Sequence, residues 1–371
     1  MFSVLARASV LIAGLAFVFP LADAAAAEQA PLDLSKPFVL VQATDPDRLA
    51  AMLEQAAAAG YHVVCASSAP GSERILWHSG GLAAVLEKSS DPDSAHAYRV
   101  VRMLPSGLPR KRFHEVLDGP GAEGFRFVPA FAILKDSYGR LPRMQMQSQV
   151  WLLDRSPSET RRFTYRVELE LGAKGMYKDI AEGEAAGYKV VAMLGLPGYL
   201  TLVMERDSAG VSAPASPTPQ DRYLYLDTVF DKTLRDRVLK AAAEGYRVKD
   251  ASRFSLRGGA RSVLLEKAAS PDAPYSYEFV DGKDVAAVES AMNEAGSRGY
   301  RLHPRSIALG LLMLEKAPGS SPAYDYRVLA PDSAAELESA LATAAGDGYS
   351  IAGMEDLGMV VLEKAGTPAA R

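Results

Sequence analysis

The chain has 371 residues, which is too long for one ordinary hydrophobic core and predicts division into several units. With 48% hydrophobic and 23% charged residues, its composition is globular and argues against extensive disorder. The formal net charge of −4 comes from interspersed signs and supplies no basic stripe for a phosphate backbone, which argues against nucleic-acid binding.

Residues 1–27 have the order of segments that is typical of a secretory signal peptide. Arg7 precedes an apolar run, and a string of small residues follows it. We expect cleavage after Ala24 or Ala27 and a periplasmic or secreted mature protein with no membrane span. A retained signal anchor is the alternative, but Pro20 and the alanine-rich end leave the apolar run shorter than the roughly 20 residues that cross a bilayer.

After this segment one pattern occurs six times. Each copy predicts an opening strand with alternating aromatic residues, an amphipathic helix, a Gly-aromatic junction into a second strand, and an apolar closing strand. We call the copies modules 1 to 6, and they cover residues 38–90, 97–157, 163–207, 222–268, 275–317 and 323–366. Module 1 opens with Phe38-Val39-Leu40-Val41, which predicts a more buried or more degenerate strand. A Pro/Ser/Ala-rich linker, 208–221, divides the chain into three modules and three modules.

The junction glycines indicate how each helix ends. A helix commonly closes through one residue in the left-handed conformation, where glycine alone avoids a Cβ penalty. The six glycines are Gly60, Gly124, Gly187, Gly245, Gly299 and Gly348, and the aromatic residues after them are Tyr61, Phe125, Tyr188, Tyr246, Tyr300 and Tyr349. We expect these residues to be structural. In module 2, Pro120 predicts a helix that stops early and a distorted junction.

The sequence predicts an α+β fold of six tandem βαββ modules. Each module should be a three-stranded antiparallel or mixed sheet with one helix on one face and the closing strand between the other two. Because so small a unit leaves two open sheet edges, neighbouring modules should pair edge to edge or sheet to sheet.

Every closing strand ends in an acid-base pair. Adjacent residues on a strand point to opposite faces, so the two members do not pair with each other, and we interpret them as marking a solvated strand end. The pairs are Glu87-Lys88, Asp154-Arg155, Glu205-Arg206, Glu266-Lys267, Glu315-Lys316 and Glu363-Lys364.

The pattern resembles domain-of-unknown-function family 4177, whose members have a Tyr-x-Tyr opening strand, a helix running into Gly-Trp or Gly-Tyr, and an apolar closing strand ending in a basic residue. The resemblance covers about residues 38–366 as six copies and is best in modules 4 to 6. It implies the module fold and no catalytic residues. The departures are Tyr or Phe where Trp is usual, and an enlarged module 2.

Module 2 is the place where the sequence suggests binding, because its last two strands have an enlarged link, Lys135 to Gln149. The binding candidates there are Arg110, Lys111, Arg112, Arg143, Met144 and Met146. The basic residues Arg110, Lys111 and Arg112 could form an anion site or the solvated start of a helix. The methionines are copper(I) ligands or, as we favour, packing residues of a hairpin.

The remaining reactive residue types predict no chemistry. The five histidines and Cys65 show no metal-ligand spacing, and we expect Cys65 to be a buried small hydrophobe. No phosphate loop and no Gly-x-Ser-x-Gly motif occurs, so we expect no metal, no cofactor and no catalytic residue.

The first functional hypothesis is an exported, non-enzymatic scaffold or binding protein whose sheet edges and aromatic faces take a protein or peptide partner in the cell envelope. The alternative is a binder of a small molecule or envelope polymer in a groove between the two halves. An unrecognised hydrolase is a third hypothesis, which deep convergent carboxylates or a Ser/His pair brought together in the fold would favour.

Overall fold

We describe the protein from a computed structural model. The chain divides into an N-terminal unit, Met1–Leu32, and a body, Asp33–Arg371, and the helices and strands of the described residues all belong to the body. The predicted signal peptide lies outside the described residues. The structure describes residues 32–43, 45–68, 82–89, 95–103, 114–138, 145–170, 172–196, 199–208, 219–254, 260–268, 274–281, 284–306, 311–319, 322–331, 333–354 and 359–366. Within these ranges no helix is long and apolar enough to cross a membrane.

Each module contributes three strands and one main helix, in the predicted order. Modules 1 to 3 comprise β1 Phe38–Ala43, α1 Pro46–Ala58, β2 Tyr61–Ser68 and β3 Leu82–Lys88; β4 Ala97–Met103, α2 Glu115–Ala122, β5 Arg126–Tyr138 and β6 Gln145–Arg155; and β7 Phe163–Glu170, α3 Ala173–Ala185, β8 Lys189–Leu196 and β9 Tyr199–Asp207. Modules 4 to 6 comprise the short α4 Pro219–Arg222, β10 Tyr223–Thr228, α5 Asp231–Ala243, β11 Tyr246–Phe254 and β12 Ala260–Lys267; β13 Ser276–Val280, α6 Val285–Ser297, β14 Arg301–Leu302 and β15 Leu312–Lys316; and β16 Tyr324–Leu329, α7 Ala334–Gly346, β17 Ser350–Met354 and β18 Val360–Ala365.

The described strands form six three-stranded sheets, and in each sheet the closing strand lies in the middle and runs antiparallel to both neighbours. The α+β fold of six strand-helix modules is therefore confirmed. The grouping into three plus three modules stays a prediction.

The six junction glycines have φ between +83° and +91°, in the left-handed region that favours glycine. In module 6 the Gly348 N–H donates to the Ala345 carbonyl at 2.9 Å, and the Tyr349 N–H donates to the Ala344 carbonyl at 3.0 Å. These two hydrogen bonds satisfy carbonyls that the end of a helix leaves without a partner.

The prediction of an early stop in module 2 is wrong. Helix α2 continues through Pro120 to Ala122, and the Phe125 N–H donates to the Pro120 carbonyl at 3.0 Å. Proline lacks only its own N–H, and its carbonyl still accepts a hydrogen bond, so the junction keeps its geometry. What distinguishes this helix is its short length of eight residues.

Both faces of a central strand are buried, as β12 illustrates. Val263 and Leu265 pack in a cluster with residues of α5, whereas Leu264 packs with Met176 and Ile180 of α3 in the preceding module. The closing strands are uniformly apolar because a helix of their own module covers one face and a helix of the neighbouring module covers the other.

The modules therefore pack in a way that the sequence did not predict. The described sheets are not joined by ladder hydrogen bonds, although the edge strands β2 and β5, and the edge strands β8 and β11, lie side by side. Instead, each helix also packs on the opening strand of the next module, as α1 does on β4 and α6 on β16. The neighbour's helix supplies the apolar cover that an isolated three-stranded sheet lacks.

The series of contacts closes on itself. Helix α7 of module 6 packs on β1 of module 1, and Leu337 and Leu341 share a core cluster with Phe38 and Leu40. All four residues of the sequence Phe38-Val39-Leu40-Val41 are buried, as predicted for this opening strand. The six modules thus form a closed cycle of contacts within the body.

Candidate functional site

A tyrosine near the start of an opening strand bonds to the preceding module. Its hydroxyl oxygen accepts the backbone N–H of the residue two positions after the aromatic residue of the Gly-aromatic pair, at 2.7 to 2.9 Å. The pairs are Val63 with Tyr98, Phe127 with Tyr165, Val248 with Tyr277, and Leu302 with Tyr326. A tyrosine therefore joins modules at four of the six contacts, and Tyr277 and Tyr326 are the second tyrosines of a Tyr-x-Tyr pattern.

An ion pair accompanies three of these hydrogen bonds. The arginine after the Gly-aromatic pair of one module binds the closing-strand glutamate of the next module, and we call this a junction pair. The junction pairs are Arg126–Glu205, Arg247–Glu315 and Arg301–Glu363.

The interpretation of the closing acids as solvated is wrong at these junctions. Glu205 is 8% exposed and Glu363 is 7% exposed. A carboxylate can be buried when a cation and hydrogen-bond donors compensate for the lost water. Glu315 shows this compensation, since Arg247 Nε donates to it at 3.1 Å and the Tyr277 hydroxyl donates at 2.7 Å.

The basic member of each acid-base pair has a separate role inside its own module. Its charged head lies 4.6 to 5.7 Å from the centre of the ring that follows the junction glycine, in all six modules. Lys267 Nζ also donates to the Glu244 carbonyl at 3.0 Å, at the end of α5. This geometry combines a cation–π contact with a favourable charge at a helix C-terminus.

The other three contacts between modules use different side chains. Between modules 1 and 2, His62 and His96 lie 5.9 Å apart by ring centres, and His96 Nδ1 lies 2.7 Å from Asp154. Between modules 3 and 4, Arg222 donates hydrogen bonds to Glu184 of module 3 and to Glu266 of module 4. Between modules 6 and 1, Glu338 accepts Lys36 Nζ at 2.7 Å.

A cavity of about 540 Å³ lies where modules 4, 5 and 6 meet. Two complete junction pairs border it, one from each of the two contacts between these modules. Its lining residues are Arg247, Lys249, Tyr275, Gly299, Arg301, Leu302, His303, Pro304, Arg305, Glu315, Ala317, Tyr324, Ile351, Ala352 and Glu363.

A buried ion pair at the cavity wall holds several modules together. Arg305 Nε donates to Asp250 at 2.7 Å, and their side chains are 14% and 2% exposed. Arg305 Nη1 donates to the Pro129 carbonyl of module 2 at 2.7 Å, and Asp250 accepts the Met193 N–H of module 3. The cavity wall is thus fixed by contacts to four modules, which is the kind of preformed support that a binding site needs.

His303 is the buried titratable group of this wall. It is 7% exposed, and burial lowers its pKa, against the opposing charges of Glu315 and Asp250. Among the described residues its Nδ1 has no hydrogen-bond partner. The ring is therefore neutral near pH 7.

Edge strands supply much of the remaining wall. β11, β14 and β17 each lie at the edge of their sheet, and each contributes lining residues. Lys249 and Ala352 are bulge residues without a partner in the ladder of their own sheet. Backbone at such positions has hydrogen-bonding groups that a ligand can use.

The structure does not test the binding candidates from the sequence. Arg110, Lys111, Arg112, Arg143 and Met144 lie outside the described residues, and Met146 is on β6 with its side chain outside them. The sequence contained a signal for the cavity, because Gly-aromatic-Arg occurs three times, ending at Arg126, Arg247 and Arg301.

Cys65 is buried and free, and burial raises its pKa to about 12. Within the described part of the chain, no group of three or more His, Cys, Asp or Glu residues could hold a metal ion. The features that set the cavity apart are its lining arginines and its edge strands.

Comparison with known proteins gives no relative for this chain. No family model, no curated protein and no solved structure matches it. The function has to be argued from the cavity and the surrounding modules.

Proposed function

We propose that the protein is an exported, non-enzymatic binding protein that holds an extended peptide segment of an envelope partner in the cavity between modules 4, 5 and 6. The observation that carries the proposal is a preformed cavity of about 540 Å³ walled by three edge strands. The modules themselves we propose to be relatives of domain-of-unknown-function family 4177.

Backbone pairing supports a peptide as the ligand. An extended peptide can add to an exposed strand edge, where main-chain hydrogen bonds provide affinity and pockets for alternate side chains provide specificity. The Leu302 N–H of β14 and the Val248 N–H of β11 already bind tyrosine hydroxyls, so the backbone that a peptide can use is that of the bulges at Lys249 of β11 and Ala352 of β17.

The state of the carboxylates supports binding rather than catalysis. Glu315 and Glu363 both line the cavity, as a hydrolase would require. However, both oxygens of each carboxylate accept hydrogen bonds from an arginine. An arginine holds each carboxylate in place, whereas a general base has a lone pair directed at the substrate.

A small molecule or envelope polymer is the second candidate ligand. A volume of about 540 Å³ falls within the roughly 300–1,000 Å³ that is usual for small-molecule sites. The cavity lies within modules 4 to 6 and not in a groove between the halves. The walls of edge strands favour the peptide.

Selection from a random peptide library tests the proposed function. The mature protein should enrich peptides that bind it, and Ala317→Trp should abolish their binding by filling the cavity. The matched control is Ala268→Trp, because Ala268 is the corresponding residue of module 4 and does not line the cavity. Selected peptides that bind the Ala317→Trp variant normally would place the site elsewhere and contradict the proposal.

Export is tested separately. After expression of the full-length chain, we expect the protein in the periplasm or medium to lack residues 1–24 or 1–27, with its new N-terminus read by mass spectrometry. Recovery from the cytoplasm with the N-terminal segment intact would contradict this part of the proposal.

A further inference from the structure

The cavity has two arms with the same composition. One arm consists of Arg247, Tyr275 and Glu315, and the other consists of Arg301, Tyr324 and Glu363. In each arm the guanidinium carbon lies near the tyrosine ring centre, at 4.5 Å for Arg247 and 5.6 Å for Arg301. The module repeat therefore places the same set of donors twice in one cavity.

Both arginines keep donors for a ligand. A guanidinium has five N–H groups in a planar fork, and the glutamate of each arm engages Nε and Nη2. Among the described residues, Nη1 of Arg247 and Nη1 of Arg301 have no hydrogen-bond partner. The two side chains are 49% and 60% exposed, so ligand and solvent can reach them.

Free guanidinium donors, rather than a net charge, favour an anion. Arg247, Lys249, Arg301 and Arg305 line the cavity, and each of them has a carboxylate partner. The outward guanidinium edges of Arg247 and Arg301 still have donors, and such edges match carboxylates.

We infer that the peptide held in this cavity is acidic and carries two carboxylate side chains, one for each arm. This inference rests on the proposed function and names the class of peptide. Residues two apart on an extended peptide share a face, so carboxylates separated by an even number of residues can address both arms.

Designed peptides test the inference on the full mature chain. The probes are fluorescein-labelled ten-residue peptides with two glutamates that are two, four or six residues apart, each matched by a peptide with two glutamines. By fluorescence anisotropy we expect one of the glutamate spacings to bind at least about tenfold tighter than its glutamine match. This difference should shrink as salt is raised.

Arg126→Gln is the matched control for Arg247→Gln and Arg301→Gln. Arg126 forms the same type of junction pair, with Glu205, but does not line the cavity. We expect all three variants to lower the unfolding temperature to a similar extent, whereas Arg247→Gln and Arg301→Gln alone should weaken binding of the glutamate peptide by about tenfold. Lys249→Gln provides a fourth variant outside the junction pairs, and it should weaken binding as well.

The outcomes separate the two proposals. Equal affinity for glutamate and glutamine peptides at every spacing, or library-selected peptides that occupy the cavity and lack acidic residues, would overturn the inference and leave the proposed function intact. Loss of peptide binding in Arg126→Gln to the same extent would also overturn it. If no library-selected peptide responds to Ala317→Trp, the proposed function fails first.

Discussion

At the scale of single residues, a glycine, an aromatic ring and a cation act together at each helix end. The glycine turns the chain at positive φ, the ring follows it, and the cation of the closing strand lies close to the ring. The cation–π contact is worth about 0.5–1 kcal/mol at an exposed site, and the charge at the helix C-terminus about 0.3–1 kcal/mol. This arrangement occurs in all six modules, and it explains why the two sequence motifs recur together.

Gly348→Ala should destabilise the protein by about 1–2 kcal/mol, because φ is +84° there and the surroundings of the new Cβ are otherwise ordinary, with Lys364 at 3.6 Å. Gly346→Ala is the control two residues earlier, inside α7 and with open space around its Cβ. It should stabilise by about 0.5–1 kcal/mol. Urea unfolding of both variants measures the difference, and equal effects would contradict the role of the left-handed conformation.

The buried tyrosines predict a loss of stability in base. Burial raises the pKa of Tyr98, Tyr165, Tyr277 and Tyr326, and it raises the pKa of Tyr225 to about 12. The unfolded chain ionises these phenols near pH 10 while the folded chain keeps them protonated. The contribution of these tyrosines to stability should therefore be fully present below pH 10 and should fall as the pH rises toward 12.

Urea unfolding between pH 8 and pH 12 measures this fall. Tyr326→Phe should start about 1–3 kcal/mol less stable at pH 8, because the buried Leu302 N–H loses its acceptor, and should then depend less steeply on pH. An unchanged pH profile in the variant would show that Tyr326 does not contribute.

At the scale of elements, the sequence predicted the strands and helices better than their partners. Gly245 and its equivalents marked where helices end, and runs such as Val263-Leu264-Leu265 marked central strands. Periodicity shows that a face is buried but not what covers it, so the packing of α3 against Leu264 was not predictable.

The candidate site escaped prediction for a related reason. Glu363 and Arg301 are 62 residues apart, and nothing local to the closing strand indicates that an arginine from another module neutralises its acid. Comparison of the repeats with one another would have shown the recurring arginine, which is the one available signal.

The end of the module 2 hairpin should be dispensable for folding. β4 pairs with β6 as far as Met103 and Gln149. In the segment from Lys135 to Ser148, the described residues Lys135 to Tyr138 and Gln145 to Ser148 pair with each other. Replacing that segment with Asn-Gly would join the paired residues Leu134 and Gln149 through a favoured two-residue turn. We expect the thermal transition to shift by only a few degrees. Loss of a cooperative transition would instead make the hairpin structural.

At the scale of the whole body, the cycle of contacts changes how stability is shared. A linear repeat array has terminal repeats that must cap its exposed ends, and each repeat depends only on its neighbours. Here Leu337 and Leu341 of module 6 cover Phe38 and Leu40 of module 1, so neither end of the array is open.

Removing module 6 therefore predicts damage at the opposite end of the chain. A chain that ends after Lys316 should lose hydrogen-exchange protection in β1 as well as in module 5, because both α7 and the strand covered by α6 are gone. Module 3 packs on neither α7 nor β16, so its amides should keep their protection from hydrogen exchange. Unchanged protection of Phe38 to Val41 would show that the modules behave as a linear array.

The ion pair between Lys36 and Glu338 joins residues that are 302 positions apart in the chain. A ribosome makes the N-terminal strand first and its covering helix last, so module 1 spends the whole period of synthesis with an apolar surface open to water. We expect slow maturation and a need for a holding chaperone until the C-terminal residues emerge, since contacts this distant in sequence form late.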